Sequence, residues 1–204
     1  MRKKWTVLLS TIIALSTLSA CGGNNKNESS NEGENKATKQ YITNFDGYNQ
    51  CILFPAVAWD TTLHAGGNVI NDWNTDMGYV SEGTGSIKVN AYKPAADGTY
   101  WYKGRIEANN GFVSSITDIN RAKKISLDIC NPGETAIEAT IEIESASQAM
   151  VSVSKICEPM QWTTVSTAIE AGDYDIVNWY SITLRNTQTD ESFTVFMDNF
   201  YLEF

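Results

Sequence analysis

The sequence predicts an all-β domain, a sandwich or barrel of antiparallel sheets. Three observations predict it. Apolar and polar residues alternate with period two in several short runs, as they do in half-buried strands. Turn signals separate the runs: Asn131-Pro132-Gly133, Glu158-Pro159 and Ala171-Gly172-Asp173. Finally, no amphipathic helix of crossover length lies between them, so neighbouring strands must pair antiparallel.

Before the domain come two other segments. The chain opens with basic Met1-Arg2-Lys3-Lys4, an apolar stretch over 5–18 and then small residues, the three parts of an export signal. Ser10, Thr11, Ser16 and Thr17 interrupt that stretch, which is too short and too polar for a good membrane span. Leu18-Ser19-Ala20-Cys21 resembles the bacterial lipobox, which implies cleavage after residue 20 and a diacylglyceryl group on the Cys21 sulfur. Acyl chains there would hold the protein on the outer side of a cell membrane. Residues 21–40 follow as a Gly-, Asn-, Ser-, Glu- and Lys-rich linker with too little apolar surface to offset the entropy of ordering. The domain proper is expected over 41–204.

Its strands are read in order. Ser86-Ile87-Lys88-Val89-Asn90 follows Gly83-Thr84-Gly85, and 100–107 forms a second run. Ile125, Leu127 and Ile129 then alternate with Ser126, Asp128 and Cys130. Ile137, Ala139, Ile141 and Ile143 alternate with Glu138, Thr140, Glu142 and Glu144. Val151 and Val153 alternate with Ser152 and Ser154, and Tyr180, Ile182 and Leu184 with Ser181, Thr183 and Arg185. Only 114–123 has room for a short helix. The last run, Phe193-Thr194-Val195-Phe196-Met197-Asp198-Asn199-Phe200-Tyr201-Leu202, is apolar on both faces and reads as a central strand. Asp198 interrupts it, and a carboxylate there needs amide donors or a cation.

Charge and composition exclude several functions. The chain carries 15 basic and 24 acidic residues, a net charge of -9. Without Arg2, Lys3 and Lys4 the balance is 12 basic to 24 acidic. That disfavours nucleic acid, whose binding rests on Lys and Arg neutralising phosphates. One histidine, His64, excludes a multi-histidine metal site and any Ser-His-Asp arrangement that does not use it. Beyond Cys21 there are Cys51, Cys130 and Cys157. Three thiols cannot all pair within one chain, so the choice is a Cys130–Cys157 bridge or three buried apolar thiols.

These pieces together resemble the jelly-roll carbohydrate-binding modules of the galactose-binding-like group, as attached to bacterial cellulases and xylanases. Asn44-Phe45-Asp46-Gly47 resembles their opening strand, and Gly85-Ser86-Ile87-Lys88-Val89 the strand after the first long loop. Lys124-Ile125-Ser126-Leu127-Asp128-Ile129-Cys130-Asn131 resembles the mid-domain strand. Trp162-Thr163-Thr164-Val165 and Met197-Asp198-Asn199-Phe200 resemble the Trp-x-x-Val and closing Asp-Asn-Phe elements. The resemblance implies a jelly-roll β-sandwich of two antiparallel sheets and a non-catalytic role. It also implies a structural calcium ion, with Asp46 and Asp198 at the matching positions. The alternative is that Asp46 caps a turn and Asp198 accepts backbone amides.

The expected ligand is a polysaccharide or oligosaccharide. Sugar rings present C–H faces to flat aromatics, and their hydroxyls meet polar side chains. Trp59 and Trp73 lie in a long polar stretch, and Tyr100-Trp101-Tyr102 precedes Lys103 and Arg105. Trp101 with Arg105 is the favoured ring platform and hydroxyl donor, with Tyr102, Trp59 and Trp73 as further contacts. Trp162 is assigned to the scaffold, Trp179 to core or rim, and His64 to a turn or a packing position. Two alternatives stand beside this reading. One is an adhesion or assembly module that contacts a protein. The other is a glycoside hydrolase: Glu142 and Glu144 share a strand face about 6.5–7 Å apart, near the spacing of inverting enzymes. Against it, Glu138 and Thr140 continue the stripe, as on a solvated surface. A sugar-delivering transporter subunit is disfavoured because it would need two α/β lobes.

Overall fold

The computed structural model describes residues 37–48, 71–91, 102–107, 119–145, 149–170, 172, 177–189 and 191–204. The chain divides into two units, Met1–Asn35 and Lys36–Phe204, and every described residue lies in the second.

That unit is a jelly-roll sandwich of two antiparallel sheets. In chain order the strands are β1 (Lys39–Thr43), β2 (Asn71–Asn74), β3 (Ser86–Ala91), β4 (Tyr102–Glu107) and β5 (Lys124–Asn131), then β6 (Ile137–Glu144), β7 (Ala149–Cys157), β8 (Gln161–Ala168), β9 (Trp179–Asn186) and β10 (Phe193–Glu203). One sheet runs β2-β3-β10-β5-β8, with β1 also paired to β10; the other runs β4-β9-β6-β7. Ile87, Val89, Leu127, Ile129, Val165, Val195 and Phe200 from the first sheet, and Tyr102, Ile137, Ile141, Ile182 and Leu184 from the second, have no exposed surface. Each such side chain contributes about 1.5–3 kcal/mol by leaving water.

The last strand is central, as its two apolar faces predict. Its partner along one edge is β5; along the other, β3 pairs with residues 193–197 and β1 with residues 200–203. Between those two partners the strand carries a bulge. Asp198 opposes Asp128, but Tyr201 opposes Ser126, and Asn199 takes a positive φ of 51°. The extra residue reverses the alternation. Asp198 therefore points to the outer face while Phe200, two residues on, enters the core.

Three elements differ from the sequence reading. β1 opens at Lys39, two residues inside the segment read as linker, because main-chain pairing of Lys39 with Glu203 fixes it. β2, Asn-Asp-Trp-Asn, lies in a stretch read as loop; it is an edge strand held by its ladder to β3. Within 114–123, the described residues hold a single 3-10 turn, Ile119–Arg121. Cys130 and Cys157 are free, buried thiols, and burial pushes the latter up to about 12. Cys51 lies outside the described residues.

Candidate functional site

The outer face of the four-stranded sheet gathers the polar half of each alternating run. Tyr102 and Ile106 of β4 turn inward, which leaves Lys103 and Arg105 outside. Arg105 is level with Ser181 of β9, and Ser181 with Glu142 of β6. Trp179 is level with Glu144 in the next row.

These side chains form one network. Arg105 Nη2 is 2.6 Å from Glu144 Oε2, and Lys103 Nζ is 3.3 Å from Glu144 Oε1 and 3.9 Å from Glu142 Oε2. The Ser181 hydroxyl donates to Glu144 and, at 3.3 Å, to Glu142; Ser152 Oγ donates to Glu142 at 3.1 Å. The Arg105 guanidinium lies over the Trp179 ring, 5.1 Å from its centroid. Lys103, Arg105 and Glu142 keep 17%, 16% and 18% of their side-chain surface open to water. Burial by itself would raise the Glu144 carboxyl, but the Ser181 hydroxyl and the Lys103 and Arg105 cations outweigh it and hold the group below its ordinary value. Glu144 thus stays ionised. A general acid needs the opposite shift, so this carboxylate is not suited to the acid role of an inverting glycosidase. The stripe is also not simply solvated: Glu144 is 5% exposed.

The structure separates the other sequence-derived candidates. Arg105 sits in the network. Tyr102 does not: its side chain is wholly buried, folded back over Gly104 in the core, so its ring offers no surface to a ligand. The correction follows from strand alternation, since Tyr102 and Lys103 must face opposite ways. Trp73 is 37% exposed on edge strand β2 of the other sheet, its Nε1 against Gly85. Trp59, Trp101 and His64 lie outside the described residues, as does Cys21. Sequence reasoning missed Glu144 as a buried anchor, and it left Trp179 undecided; the signal was Lys103 and Arg105 on one strand face with Glu142 and Glu144 on another.

Asp46 and Asp198 converge on one turn, residues 81–84, that folds over the outer face of the six-stranded sheet. Asp198 Oδ2 accepts the Ser81 and Glu82 N–H groups at 2.8 and 3.1 Å, and Oδ1 accepts that of Asn199 at 2.8 Å. Asp46 Oδ1 accepts the Thr84 N–H and hydroxyl. Gly83, with φ +82°, has no room for a Cβ, because the Asp46 carboxylate occupies that place. Burial pushes the Asp198 carboxyl up to about 6; the three amides oppose this, and the charge of Asp46 adds to it. Both carboxylates are hard oxygen donors, the kind that suits calcium. Among the described residues no three His, Cys, Asp or Glu side chains converge, so main-chain oxygens would complete such a site.

No family model matches this chain, and no curated protein does. Solved structures do. The N-terminal CBM22-1–CBM22-2 tandem domain of Xyn10C from Paenibacillus barcinonensis is 11% identical with a TM-score of 0.53, over 86% of this chain and 52% of that one. The arabinose-bound MgGH51 α-L-arabinofuranosidase is 17% identical with a TM-score of 0.52, over 84% of this chain and 27% of that one. The family 11 carbohydrate-binding module from Clostridium thermocellum is 15% identical with a TM-score of 0.49, over 80% and 94%. The fold is the jelly roll of carbohydrate-binding modules. At these identities the likeness is one of fold, and the chain spans about half of the tandem and about a quarter of the arabinofuranosidase.

Proposed function

We propose that the domain binds a polysaccharide or oligosaccharide, without transforming it, on the outer face of the four-stranded sheet. The observation that carries this reading is the network of Lys103, Arg105, Glu142, Glu144 and Ser181 beside Trp179. It offers donors and acceptors already held in place, so little side-chain entropy is lost when hydroxyls replace water. The exposed parts of Lys103 and Arg105 donate to sugar oxygens, and Glu142 accepts from hydroxyls. Trp179, with Arg105 on one side of its ring, supplies an aromatic border. Trp101 is the further platform residue that the sequence nominates.

The rest of the reading concerns how the site is presented. Calcium between Asp46 and Asp198 would tie the 81–84 turn to the sheet. A diacylglyceryl group on Cys21 would place the domain outside the cell, on a linker reaching on the order of 25 Å. The test of the binding reading is a glycan array followed by affinity gels. Arg105→Ala and Trp179→Ala should weaken retardation about tenfold while the melting temperature stays within a few degrees. A protein that binds no glycan yet captures a surface protein would side with the adhesion reading.

A further inference from the structure

On the outer face of the four-stranded sheet Arg185 pairs with Glu138, and Lys103 and Arg105 both meet an anion as well. Glu144 touches each: Oε2 is 2.6 Å from Arg105 Nη2, and Oε1 is 3.3 Å from Lys103 Nζ. Glu142 adds a second carboxylate 3.9 Å from Lys103. Glu144 is 5% exposed, so water and salt screen its charge less than that of a surface glutamate.

Consider what each kind of ligand meets there. A sugar hydroxyl both donates and accepts, so it can bridge a carboxylate and a neighbouring cation without disturbing either. The carboxylate of an incoming uronate can only accept. To reach Arg105 or Lys103 it must stand beside Glu144 and Glu142, and like charges side by side are costly across an interface.

We infer that Glu144 is the specificity-determining residue of this face, cancelling the charges of Lys103 and Arg105 so that uncharged glycans are accepted and uronate-bearing ones refused. The inference rests on the reading of this face as a glycan site, and it deepens that reading by naming the ligand class and the residue that sets it. Glu144→Gln keeps an acceptor for Ser181 but removes the charge, which leaves Lys103 and Arg105 in excess.

The experiment runs the protein, its Glu144→Gln variant and two controls through affinity gels containing mixed-linkage β-glucan or polygalacturonate. Glu144→Asp keeps the charge. Glu191→Gln makes the same change in net charge at an exposed residue away from the network. The wild type should be retarded by β-glucan and not by polygalacturonate. Glu144→Gln should gain polygalacturonate retardation by about tenfold, and that gain should vanish near 1 M salt, where the Debye length is about 3 Å. Neither control should gain. Should Glu144→Gln not fold, Glu142→Gln at the more open carboxylate carries the same comparison. Wild-type retention by polygalacturonate as strong as by β-glucan overturns the inference, as does a gain no larger than that of Glu191→Gln. A wild type held by no uncharged glycan sinks the proposed function instead; the contrast between Glu144→Gln and Glu191→Gln still decides whether Glu144 masks the two cations.

Discussion

The Arg105 guanidinium and the Glu144 carboxylate meet at 2.6 Å across an intervening strand: Arg105 belongs to β4, Glu144 to β6, and β9 runs between them. The contact ties three strands together at side-chain level, with Ser181 of β9 beneath it. Pairs with 16% and 7% of their side-chain surface exposed are coupled more strongly than open ones. A double-mutant cycle of Arg105→Ala and Glu144→Ala in urea should give a coupling of about 1–2 kcal/mol. Additive single effects would show that each residue is held by its other partners.

Tyr102 tests where the aromatic surface of β4 goes. Its ring lies among the core side chains with no exposed area. Tyr102→Ala should therefore cost about 3–5 kcal/mol of stability, read as a lower denaturation midpoint. Trp73→Ala, at a residue 37% exposed, should cost well under half of that. Equal losses would mean that Trp73 supports the edge strand as much as Tyr102 supports the core.

Much of the fold was legible in the sequence, and the reason is physical. Ile125, Leu127 and Ile129, or Tyr180, Ile182 and Leu184, announce a strand because period-two alternation has one common cause, a sheet with a dry face and a wet one. The double-sided apolarity of β10 likewise marked a strand with neighbours on both edges. β2 was illegible for the converse reason: Asn-Asp-Trp-Asn buries little, and its ladder to β3 holds it. The site was half legible. Alternation put Lys103 and Arg105 on one face, and the same rule put Glu142 and Glu144 on another. That the two faces are one surface depends on β9 lying between β4 and β6, a non-local pairing that no single run of residues encodes.

Calcium should show itself in the melt. A ligand that binds only the folded state stabilises it with the logarithm of its concentration, by about 2.7 kcal/mol at a hundredfold excess over Kd. EDTA should lower the melting temperature by several degrees, added calcium should restore it, and Asp46→Asn should abolish the response. An EDTA-insensitive melt with no metal by elemental analysis leaves both carboxylates to their amide donors.

With cations chelated, Asp198 should make stability depend on pH in a defined direction. Its carboxyl is pushed from 3.8 up to about 6 in the folded state by burial. Between those values the folded protein holds a proton that the unfolded chain releases. The contribution is fully present below about pH 4 and is lost as pH rises through 6. It is on the order of 3 kcal/mol for a shift of this size. The difference in unfolding free energy between wild type and Asp198→Asn should therefore slope across pH 4–6 and be flat above about pH 7. A flat difference throughout would place the Asp198 carboxyl in its ordinary range.

The proposal of a lipid anchor rests on Leu18-Ser19-Ala20-Cys21. Cys21→Ser should move the protein from the membrane fraction to the soluble extracytoplasmic fraction and remove incorporation of labelled fatty acid. Membrane retention without any label on the wild type would exclude a lipid on Cys21.

The position of β10 has a consequence for how the domain is made. Residues 193–203 supply partners to β1, β3 and β5, so the larger sheet has no middle until the C-terminal segment is available. Contacts this distant in sequence form slowly, because loops must close before pairing compensates for them. A chain emerging from the ribosome, or threading through a translocation pore, cannot complete the larger sheet until residues 193–203 are out. If the leader does direct export, that delay would be useful, since a domain that closed too soon would no longer fit through the pore.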